Sequence, residues 1–183
     1  MRIIGIDPGS VVCGYGVIEK DKREIRLVEY GVVQAKKISA DLPKRLVEIY
    51  DRIETVIRRS APEAAAFESL FFSKNAQTLM KLSHARAAAL VSAARCGLPI
   101  AEYAPREIKK SVTGNGNASK DQVSYMVRSM LKIDETPEFF DATDALAIAI
   151  CHSARMQSGG SKPKSWSEFV DARPDMVINP NKI

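Results

Sequence analysis

The chain has 183 residues, 45% of them hydrophobic, 27 Lys and Arg against 22 Asp and Glu, and a net charge of +5. That length supports one good core and leaves little for a second domain, and we expect a body over 1–156 and a flexible tail over 157–183. Cys13, Cys96 and Cys151 lie far apart, with no C-x-x-C pair and only two histidines beside them, which argues against a zinc site or a disulfide framework and for a reduced, cytoplasmic setting. The longest apolar run, Ala145 to Cys151, is too short to cross a bilayer, so no membrane is expected.

Ile3 to Ile6 forms a buried strand that runs into Asp7 and the turn-formers Pro8 and Gly9, and a second strand spans Tyr15 to Ile18. An acid ending an apolar strand is costly to bury without a partner. Glycine at 9 and 14 permits close approach of backbone to a ligand. Asp7 is therefore a candidate site residue, with a hairpin cap as the bland alternative. Glu24 to Val33 completes an antiparallel meander of three strands. After Asp41, the spacing of Leu42, Leu46, Ile49, Ile53, Val56 and Ile57 predicts a helix with one buried face, and Pro43 fits its first turn.

Ala64 to Phe72 is an apolar run after Pro62 that reads as a central strand of a parallel pair and again carries one acid, Glu68. Neighbouring parallel strands bring Asp7 and Glu68 to one end of the sheet. Asn75 to Arg95 is an acid-free, alanine-rich helix, suited to close packing on its own sheet or, through Ala88 and Ala89, to a subunit contact. Pro99 to Tyr103 makes a fifth strand and Pro105 to Val112 a short basic helix or turn. The Gly114 to Ala118 loop ends at Ser119, which with Gln122 forms a capping box for a helix reaching Leu131 and starting at Lys120, an arrangement that favours phosphate. Between Ser73 and Lys132 ten bases face three acids, more than the whole net excess and the footprint of a polyanion partner.

The last helix opens with Asp141 and Asp144, three apart on one face, ahead of an apolar stretch to Ile150. Both gain from the helix dipole, but like charges so close repel, and a divalent cation such as Mg²⁺ relieves that conflict. Four carboxylates that can converge in an otherwise basic chain suit paired metals, which stabilise the attacking and leaving oxygens of phosphodiester cleavage. The residues alone point to a metal-dependent nuclease.

The segments G-I-D-P-G-S-x-x-x-G-Y-G from Gly5 to Gly16, F-E-S-L-F-F around Glu68, and D-A-T-D-A-L-A-I-A from Asp141 to Ala149 resemble the RuvC family of bacterial Holliday junction resolvases, within the ribonuclease H-like superfamily. The resemblance runs from Met1 to about Met156. It implies an α/β fold with a five-stranded mixed sheet, three strands in an antiparallel meander plus parallel strands, flanked by helices. It further implies a homodimer that cuts opposed strands of four-way junction DNA, leaving 5′-phosphate ends, and the branch-migration proteins RuvA and RuvB as partners. Asp7, Glu68, Asp141 and Asp144 match the family's metal-binding acids, holding two Mg²⁺, with Mn²⁺ as substitute. Lys109 and Lys120 match its basic residues near the scissile phosphate, and Phe71 its aromatic at the opened junction centre. Lys81 and Arg86 are further candidate DNA contacts. Asp7-Pro8-Gly9 also resembles the first phosphate loop of actin-like ATPases and sugar kinases, whose nucleotide needs a duplicated domain that 183 residues do not hold. A junction-binding protein without catalysis is the other rival, and the intact acids argue against it.

Overall fold

Alternation of side chains along the strands decides how this molecule is layered. The structure, a computed structural model, describes residues 1–22, 24–69, 76–134 and 140–157. Strands β1 (Arg2–Asp7), β2 (Cys13–Asp21) and β3 (Glu24–Val33) form the expected meander, and β4 (Ala64–Glu68) and β5 (Ile100–Tyr103) extend it in parallel on the other side of β1. The order is β3-β2-β1-β4-β5. β2 is longer than the apolar run Tyr15 to Ile18 suggests: buried Cys13 and Gly14 pair with β3 at one end, Gly14 also with Asp7, and polar Glu19 to Asp21 continue the β3 ladder at the other.

Ile4, Ile6, Cys13, Val17, Ala65 and Phe67 point to one face, covered by α1 (Ala35–Ile38), α2 (Leu42–Ser60) and α3 (Ala76–Arg95). Ile3, Ile18 and Ala66 point to the other, covered by α4 (Pro105–Thr113), α5 (Lys120–Leu131) and α6 (Phe140–Gln157). Burying an isoleucine side chain contributes about 1.5–3 kcal/mol, and Ile3, Ile4, Ile6, Ile49 and Ile53 are all fully buried. The amphipathic stripe of α2 therefore does what its spacing predicts. Short α1 is not legible in the sequence, since Lys36 and Lys37 hide a single turn whose one buried residue is Ala35 and whose Lys36 amide donates to the Val11 carbonyl at 3.2 Å.

The alanines of α3 turn inward. Ala85, Ala89 and Ala93 are fully buried against α2 and the sheet, so Ala89 is taken up by the chain's own core, whereas Ala88 is partly buried. Small residues permit close helix approach, and here the approach is within the chain. The outward face of α3 instead shows Met80, Ala87 and Val91. The strand expected to reach Phe72 is observed to Glu68; Leu70 to Asn75, including Phe71, and the tail beyond Gln157 lie outside the described residues.

Candidate active site

Period-two alternation sends both strand acids to the same side. Gly5 pairs with Ala66 and Ile6 with Phe67, so Asp7 and Glu68 follow at neighbouring strand ends and face α6, like Gly5 and Ala66 before them. On β2, Gly16 pairs with Gly5 and Gly14 with Asp7. These three glycines form a bare floor on which α6 lies. A Cβ on Gly5 would stand 2.1 Å from the Ala145 carbonyl oxygen, one on Gly14 2.0 Å from that of Asp141, and one on Gly16 2.6 Å from the Leu146 side chain. Gly14, expected to admit a ligand, admits the helix that carries Asp141 and Asp144.

Asp7, Glu68 and Asp144 line one cleft of about 150 Å³ together with Lys109 and Lys120. Asp141, one turn back on α6, is not part of that lining, yet its charge is felt by Asp7. The Lys120 Nζ donates to Asp144 Oδ2 at 3.2 Å. Its helix starts where expected: Ser119 Oγ accepts from the Gln122 amide at 3.2 Å, and Gln122 Oε1 accepts from the Ser119 amide at 2.9 Å. Such caps contribute on the order of 1 kcal/mol. Lys109 Nζ donates to the Ala118 carbonyl at 2.8 Å, tying α4 to the loop that leads into α5.

The electrostatics are those of crowded carboxylates. Burial, then the charges of Asp144, Glu68 and Asp141, push Asp7 up to about 7 despite Lys120. Burial and Asp144 raise Glu68; burial raises Asp144 against the pull of Lys120, whose own pKa is raised chiefly by Asp144. Among the described residues, no three acidic, histidine or cysteine side chains approach one another at ligating distance. Like charges keep apart unless a cation lies between them, and one already pairs with Asp144, the Lys120 ammonium. The donor set nonetheless fits a hard divalent ion, since all four acids offer carboxylate oxygens.

The remaining candidates separate. Lys81 is exposed on α3 and does not line the cleft. Arg86 is buried, so its expected place at DNA is corrected: its guanidinium is taken up by the Glu68 carbonyl, by Glu102 at 2.8 Å and by the Phe67 ring, 5.6 Å away. A basic residue in an alanine-rich helix gives no local sign of such burial, and only the Phe67 and Glu102 positions on adjacent strands reveal it.

A family model described as crossover junction endodeoxyribonuclease RuvC matches residues 3–152. The chain belongs to the RuvC family. Relatives of the same description include one from Chloroherpeton thalassium, 42% identical over 97% of this chain and 100% of its own, and one from Halorhodospira halophila, 47% identical over 83% and 89%. Among solved structures, T. thermophilus RuvC in complex with Holliday junction substrate superposes with a TM-score of 0.78 at 36% identity, covering 86% of this chain and 97% of that one. The yeast mitochondrial Holliday junction resolvase Ydc2 shares the fold at 11% identity, with a TM-score of 0.61 over 86% of this chain and 80% of its own. The RuvC match spans all four acids and both cleft lysines. No helix among the described residues is long and apolar enough to cross a membrane.

Proposed function

We propose that this chain is a structure-selective endonuclease that resolves four-way DNA junctions by paired, metal-dependent phosphodiester hydrolysis on opposed strands, in recombination and repair. The observation that carries this reading is the meeting of Asp7, Glu68 and Asp144 with Lys109 and Lys120 in one cleft of a basic RuvC-family chain. Asp7, Glu68, Asp141 and Asp144 would hold two Mg²⁺, or Mn²⁺ in their place, and such a pair supplies activation of water and stabilisation of the leaving oxygen. Lys120 and Lys109 bring cationic groups to the same cleft, where they offset charge growing on phosphate oxygens. The products are 5′-phosphate and 3′-hydroxyl ends. Phe71 is assigned to the opened junction centre and Lys81 to a peripheral phosphate.

Two opposed cuts require two sets of acids related by a two-fold axis, which an isologous homodimer supplies. The outward stripe of α3 supports such a contact, with Met80 60% and Val91 51% exposed. RuvA and RuvB are the branch-migration partners, and the cytoplasm is the setting. Incubating a labelled four-way junction with the protein and Mg²⁺ tests the reading. Paired nicks at symmetric positions are expected; an uncut junction, or equal cutting of linear duplex, refutes it.

A further inference from the structure

Arg86 is the one buried charged side chain among the described residues, with 7% of its side chain exposed. Its neighbours on the inward face of α3 are Ala85, Ala89, Ser92 and Ala93. A buried arginine is costly to keep unless its charge is paired and its hydrogen-bonding groups are satisfied, so packing alone would favour an apolar residue here. Its partners show what it does. Phe67 on β4 pairs with Glu102 on β5, and the Arg86 guanidinium crosses both, lying over the Phe67 ring at 5.6 Å from its centroid and ion-paired with the Glu102 carboxylate at 2.8 Å. A further N–H donates to the carbonyl of Glu68, the last residue of β4. The next residue, Ser69, is in turn bonded to the Tyr103 carbonyl of β5 through its amide at 2.8 Å and its hydroxyl at 3.2 Å.

We propose that Arg86 is a positioning residue for Glu68, clamping the ends of β4 and β5 from the sheet face opposite the cleft and so setting where the Glu68 carboxylate enters it. This rests on the reading of Glu68 as a metal-binding acid. The role calls for a planar fork with several donors; the compact ammonium of lysine does not span a carbonyl and a carboxylate on different strands in the same way. Groups that orient a metal ligand without touching the ion alter metal affinity or activity by about 10- to 100-fold, and a clamp on the ligand's main chain belongs at the lower end.

The test uses the full chain with Mn²⁺ as probe, measuring the Mn²⁺ dissociation constant, junction affinity without divalent metal, kcat, KM and melting temperature for Arg86→Lys, Glu102→Ala and Glu68→Gln. Arg86→Lys should weaken Mn²⁺ binding and lower kcat by about 10-fold each, with KM and metal-free junction affinity unchanged. Glu102→Ala, which removes a half-exposed partner and leaves the rest of the clamp, should move the same two quantities less. Wild-type Mn²⁺ affinity and kcat in folded Arg86→Lys and Glu102→Ala overturn the proposal, even with a lower melting temperature, because that combination is a purely structural role. Should Arg86→Lys fail to fold, Glu102→Ala decides alone. Glu68→Gln separates the two levels: full Mn²⁺ binding and cleavage there refute Glu68 as a site acid, whereas their loss beside unaffected clamp variants refutes only the clamp.

Discussion

The two faces of the sheet are buried equally well by different means. Under α2 and α3, side chains fill the gap: Ile4, Ile6, Val17 and Phe67 meet Ile49, Ile53, Val56 and Ile57. Under α6, glycines at 5, 14 and 16 remove the side chains, and Ala145 and Ala149 settle almost on the backbone of β1, Asp141 and Leu146 on that of β2. Interdigitated side chains tolerate small changes in volume, because neighbours adjust rotamers. Backbone against backbone does not adjust in that way. The face that holds Asp141 and Asp144 near Asp7 is the one built by close approach, so on the proposed function the placing of these acids and the packing of α6 are the same constraint.

The comparison breaks most sharply at the acids themselves. Asp7→Asn should abolish junction cleavage while leaving metal-free junction binding near wild type, because binding rests on the bases; a fully active variant would remove Asp7 from the site. Next in size is a pair of core changes, one on each face. Gly14→Ala places a methyl 2.0 Å from the Asp141 carbonyl, and should cost roughly 1–3 kcal/mol of stability as overpacking does and lower kcat by displacing the head of α6. Ile53→Val, on the other face, should cost about 1 kcal/mol and leave kcat alone. Denaturant melts and single-turnover cleavage measure both, and a Gly14→Ala protein with normal kcat would uncouple packing from catalysis.

A smaller effect concerns pH. Asp7, raised to about 7 from an ordinary 3.8, holds its proton more tightly in the folded chain than in the unfolded one. Its contribution therefore favours the folded state below about pH 4 and is lost as pH rises to about 7. Glu68 and Asp144 are shifted in the same direction. Metal binding requires those protons to leave, so Mg²⁺ should raise the melting temperature more at about pH 8 than at about pH 5.5, and metal-free Asp7→Asn should be more stable than wild type at the higher pH. Equal Mg²⁺ shifts at both values would contradict this. The smallest effect belongs to exposed Lys81, outside the cleft. Lys81→Ala should lower the salt dependence of junction binding by about one unit of log–log slope with kcat unchanged, and an unaltered slope would take Lys81 off the DNA path.

Much of this protein was determined by its sequence alone. The apolar runs through Ile3–Ile6 and Ala64–Phe67, the stripe of α2 and the Ser119–Gln122 cap are local patterns, and local patterns declare strands, helices and their starts. Acids placed at the ends of apolar segments stood out for the same reason: burial of a charge without a partner is costly wherever the chain goes. Tertiary structure decided what depends on residues far apart in sequence. It turned Ala85, Ala89 and Ala93 into the chain's own core, made Gly14 a seat for α6 instead of a ligand loop, and drew Arg86 away from solvent to Phe67, Glu68 and Glu102. An alanine, a glycine or an arginine has no orientation until a neighbour supplies one. In this fold the neighbours lie on other strands and helices, and only the register of β1, β4 and β5 beneath α3 and α6 brings them into reach.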